Sequence, residues 1–132
     1  MSYDVFVFKF KETYADPNSI PEDAKKMPFG PADSVRKAID VVFPDVNWSD
    51  SACGTWDNDL GSIEFNLGTD EPVKGIAMHI RAQAAVMSGV VTLCRDNDWR
   101  AMDGEDGFVE QRPHAADGLN AWRAYRDKVL KP

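Results

Sequence analysis

His79 and Arg81 stand two residues apart in the run Gly75-Ile76-Ala77-Met78-His79-Ile80-Arg81, and Glu64 and Asn66 stand two apart in Ser62-Ile63-Glu64-Phe65-Asn66-Leu67. Alternate residues of a strand share a face, so these four side chains converge on one polar platform if the two runs pair as neighbours. An imidazole oriented by a carboxylate can act as a general base, and a nearby guanidinium can hold an anionic substrate. The ordinary alternative is structural: Glu64 and Arg81 as a cross-strand ion pair beside a histidine at the surface or under a helix. The set matches no catalytic signature.

Other chemistry finds less support. Asp57, Asp59, Asp103, Glu105 and Asp106 offer hard oxygen ligands, but neither Asp57-Asn58-Asp59-Leu60-Gly61 nor Asp103-Gly104-Glu105-Asp106-Gly107 continues into a calcium loop, and turns use Asp and Gly in any case. His79, His114, Cys53 and Cys94 are scattered along the chain without the spacing of a zinc site. There is no nucleophile elbow, dinucleotide fingerprint or phosphate loop, so no metal and no cofactor are expected. Cys94 precedes Arg95, but the C-terminal end of a helix disfavours a thiolate. Both cysteines read as free thiols.

Charge points toward partners. The chain of 132 residues has a net charge of −7, unevenly spread. Between Asp45 and Pro72 lie seven acids and no Lys or Arg; from Asp96 to Glu110 six acids face Arg100 alone; the last 22 residues are basic. Nucleic acid is disfavoured as a partner, because backbone binding needs a cation for each phosphate, and a basic protein is favoured. Trp48 and Trp56 lie among these acids. With Asp57, Asp59, Asp70 and Glu71 they make a candidate partner-binding surface, since aromatics supply contact area at low entropic cost. The same two tryptophans could instead cover the core.

The elements that must position these residues follow from periodicity. Tyr3 to Phe10 is nearly continuous apolar, which predicts an interior strand covered on both faces. Lys11 to Gly30, with Pro17, Pro21 and Pro28, reads as a long connection in which Ser19 could cap one helical turn through Glu22 to Lys26. Pro31 to Phe43 predicts a helix burying Val35, Ala38, Ile39 and Val42. Ala52 to Trp56 is a short strand, and Ala82 to Cys94 a second helix. Trp99 to Asp103 and Phe108 to Glu110 read as a hairpin about Gly104-Glu105-Asp106-Gly107. Ala115 to Leu130 is a terminal helix with the stripe Leu119, Trp122, Tyr125 and Val129.

Together these predict a single α+β domain over residues 1–132: a mostly antiparallel sheet of five or six strands, two helices on one face and the C-terminal helix beside them or along an edge. No run approaches the length of a membrane span, and the N-terminus enters an apolar strand without a basic leader, so a cytoplasmic protein is expected. The opening Met1-Ser2-Tyr3-Asp4-Val5-Phe6-Val7-Phe8 resembles the start of many small uncharacterised bacterial proteins, some of them thought to be immunity proteins of polymorphic toxin systems. The resemblance implies a non-enzymatic protein that binds and blocks a toxin. Two expectations result: a binding module whose acidic surface meets a basic protein, or a small enzyme or ligand-binding protein working through Glu64, Asn66, His79 and Arg81.

Overall fold

The computed structural model describes residues 2–105 and 107–130, so Met1, Asp106, Lys131 and Pro132 lie outside it. Strand β1 (Tyr3–Phe10) is followed by a single 3-10 turn (Pro17–Ser19), β2 (Lys26–Met27), helix α1 (Ala32–Val42), β3 (Asn47–Asp50), β4 (Cys53–Asn58), β5 (Gly61–Asn66) and β6 (Ile76–Ala82). Helix α2 (Met87–Asn97), β7 (Arg100–Met102) and α3 (Asp117–Leu130) complete the chain. The strands form one sheet in the order β2-β1-β6-β5-β4-β3, with β7 also on β1, and each pairing is antiparallel. This is the α+β architecture expected, with seven strands in place of five or six.

Alternation decides which face is core. Val5, Val7, Ile63, Phe65, Met78 and Ile80 are fully buried, and the register sets Val5 opposite Met78 and Met78 opposite Phe65. Against them α1 lays Val35 and Ile39, with Phe43 just past its end, and α2 lays Met87, Val90, Leu93 and Cys94. Each such side chain contributes roughly 1.5 to 3 kcal/mol on leaving water, which is why the two amphipathic helices choose the same side.

Four expectations change. β1 is covered on one face only: Phe6 is 46% exposed, and Asp4 and Phe8 are half-buried. In the long connection Asp16, not Ser19, caps a turn, its Oδ1 accepting from Asn18 N at 2.8 Å and Ser19 N at 3.1 Å, and Lys26–Met27 then joins the sheet instead of continuing a helix. The return strand after β7 does not form. Residues Val109–Gln111 make a 3-10 turn, and the Glu110 side chain takes the Ala101 N–H at 3.1 Å, a donor the hairpin would have given to backbone. Of the stripe on α3, Leu119 is buried and Trp122 half-buried, while Tyr125 and Val129 stand 60% and 49% exposed, so only the first half of the helix docks.

Candidate functional site

The helices leave the other face of the sheet open. On it the register aligns Asp4, His79, Glu64 and Thr55 side by side across β1, β6, β5 and β4. A second row runs Met102, Phe6, Ala77, Asn66 and Cys53, and a third Arg81, Ser62 and Asp57. None of these residues is buried. With strands roughly 4.8 Å apart, the Asp4 to Thr55 row spans about 14 Å.

The four platform residues are thus brought to one face, but the contacts differ from the expected pair. Arg81 lies opposite Ser62, and no salt bridge joins it to Glu64 among the described residues. His79 Nδ1 lies 2.8 Å from Asp4 Oδ1, so the carboxylate that orients the imidazole is Asp4. Asp4 also accepts from Ser2 Oγ. Partial burial works against its charge, but the bonds from Ser2 and His79 and the positive charge of Arg81 outweigh it and hold Asp4 below the usual aspartate range. Glu64 Oε1 accepts from Cys53 Sγ at 3.3 Å. Burial, that hydrogen bond and the charges of Glu64 and Asp50 push the Cys53 thiol up, which keeps it protonated and a poor nucleophile.

Asp4 and Cys53 are the members that residue-by-residue reading missed. Asp4 carried a signal, since a lone carboxylate inside the apolar run Tyr3 to Phe8 must point away from the core side or find a donor.

The partner-binding candidates separate. Trp56 is buried, edge-on to Phe43 at 5.3 Å between ring centroids. Trp48 is half-buried on the core side; its ring fills the space over Gly54, where a Cβ would approach it to 2.6 Å, and its Nε1 donates to Asp40 Oδ1 at 2.9 Å. Both tryptophans therefore cover the core. Asp57 and Asp59 are exposed at the β4–β5 turn. Asp70 and Glu71 lie in the connection leaving the other end of β5, about 20 Å away at ~3.3 Å per strand residue. Glu71 is engaged there, its Oε1 accepting from Ala32 N at 3.1 Å and so capping α1, whose N-terminal Pro31 has no capping side chain.

Two cavities border the face. One of about 520 Å³ separates Asp4 and Phe6 from Trp122 and Tyr125 of α3, and a smaller one takes in Arg81. Neither cavity is lined by Glu64, His79 or Asn66, and no group of three His, Cys, Asp or Glu among the described residues could hold a metal ion. Cys53 and Cys94 are free thiols. No described helix is long and apolar enough to cross a membrane. No family model matches the chain, and neither a curated protein nor a solved structure does.

Proposed function

We propose that the chain is a non-enzymatic binding protein that docks a basic protein on the open face of its sheet, as an immunity or inhibitor protein blocks a toxin. A cytoplasmic location goes with this reading. The observation that carries it is the uncovered face: helices close one side of the sheet, while on the other Phe6 stands 46% exposed among residues none of which is buried. An aromatic in such a place supplies contact area that a partner can bury. The β3–β4–β5 half of the sheet adds charge of one sign, since Asp45 to Pro72 contains no Lys or Arg. Carboxylates so grouped steer a basic partner and occupy a groove built for phosphates.

The test is capture from the source organism's lysate at low salt with elution at high salt. A basic protein released by salt is expected. Asp57→Asn with Asp59→Asn should then slow its association at low salt, and an unchanged on-rate would remove the acidic edge from the interface.

The Asp4–His79 pair supports a second reading, a small enzyme in which Asp4 orients His79 as a general base. On that reading His79→Ala abolishes turnover of whatever substrate a metabolite screen finds. On the first it leaves partner binding within about 1 kcal/mol of wild type, the scale of a rim contact.

A further inference from the structure

The C-terminal end of β6 and the middle of α3 bring three arginines to the lining of one depression. Its volume is about 130 Å³, and it is lined by Leu60, Arg81, Ala82, Gln83, Arg123 and Arg126. The lining holds three cations and no carboxylate, in a chain of net charge −7. Arg126 leans on Trp122 and bonds to Asp127, its neighbour in sequence. The side chains of Arg81 and Arg123 make no hydrogen bond or salt bridge among the described residues, and Arg81 acts on Asp4 through its charge alone.

Close backbone contacts fix the frame around the depression. Gly61 pairs with Ala82, and it approaches so closely that a Cβ would lie 2.3 Å from the Arg81 carbonyl. Gln83 N donates to Leu60 O at 2.8 Å, which fixes the floor. On the opposite wall Leu119, fully buried, anchors α3, and Arg123 and Arg126, three residues apart, share one side of that helix. Like charges held together by two rigid elements repel until an anion lies between them. Guanidinium forks match the oxygens of a phosphate, each able to give two parallel N–H···O bonds. At about 130 Å³ the depression has room for one phosphoryl group with the rest of its carrier outside.

We infer that Arg81, Arg123 and Arg126 form a binding site for the phosphoryl group of a small phosphorylated molecule. The site borders the open face without including Phe6, and it stands independently of the docking proposal.

Inorganic phosphate is the probe, titrated into the full chain at constant ionic strength and followed by amide NMR, with chloride and acetate as matched arms. Saturable shifts at Arg81, Gln83, Arg123 and Arg126 are expected with phosphate, and at least fivefold weaker binding with acetate. The double variant Arg81→Gln, Arg123→Gln should weaken phosphate binding at least tenfold. Arg123→Lys, which keeps the charge and loses the fork, should weaken it severalfold, and Lys37→Gln on the exposed side of α1 should leave it unchanged. Shifts equal in chloride, equal affinity for acetate, or a double variant that binds like wild type would each overturn the assignment. Matching spectra elsewhere in the variants establish that they are folded.

Discussion

Asp103 is held by Arg112, whose Nη1 and Nη2 donate to its two oxygens at 2.8 and 2.6 Å, by the Tyr3 hydroxyl and by the Glu105 N–H. Burial opposes its charge, yet these donors prevail and bring it from 3.8 to about 2. A depressed carboxylate stabilises the fold above its ordinary pKa and loses that contribution as pH falls. Asp103 therefore adds roughly 2 kcal/mol at neutral pH, lost between about pH 4 and pH 2. Asp103→Asn should cost about that much in urea unfolding at pH 7 and flatten the acid limb of the stability curve. Glu110 runs the other way. It is 1% exposed, its Oε1 has no hydrogen-bond partner among the described residues, and burial raises its pKa over the opposing pull of the Ala101 N–H and of Arg100 and Arg95. A raised carboxyl costs stability as pH climbs past the unfolded value. Wild type should therefore lose ground to Glu110→Gln in thermal melts as pH rises above the ordinary glutamate range, and parallel curves would exclude Glu110 as the source.

Among the elements, the β5–β6 pair depends on Gly61, whose φ of 124° and absent Cβ allow the backbone of Arg81 to pass close by. Gly61→Ala should cost about 2 kcal/mol or more, combining left-handed strain with the clash. Gly104→Ala, at φ 90° with open space around it, should cost about 1 kcal/mol from the backbone alone, both measured by denaturant unfolding. This pair was also the most legible part of the chain. Ile63, Phe65, Met78 and Ile80 alternate cleanly, and alternation specifies the face, so Glu64 and His79 could be placed on one side of the sheet from residue types, while the register that sets them opposite each other came from the structure. Where tertiary contacts replaced local pattern the reading failed or stayed open. Trp48 and Trp56 stand among acids in sequence and pack toward Phe65 and Phe43, the core-covering alternative of the two that the sequence left open, a choice made by strand parity. The run after β7 has hairpin residues, yet a buried glutamate side chain takes the donor the return strand needed. Asp4 lies 75 positions from His79, and no local pattern reports such a pairing.

At the scale of the whole molecule, the fold has two unlike sides. One is closed by α1 and α2; the other presents Phe6 and the Asp4, His79 and Glu64 row to solvent, with an acidic half-sheet beyond β6. Exposed apolar surface and charge of one sign on the same face favour a partner that is basic and apolar together. The apolar exposure can be matched on the closed side, because Val41 of α1 is 83% exposed. Capture from lysate with three baits, wild type, Phe6→Ser and Val41→Ser, therefore tests the docking face most directly. Wild type and Val41→Ser are expected to retain the same basic protein, and Phe6→Ser to lose it. Retention by Phe6→Ser at the wild-type level, or loss by Val41→Ser alone, would contradict it.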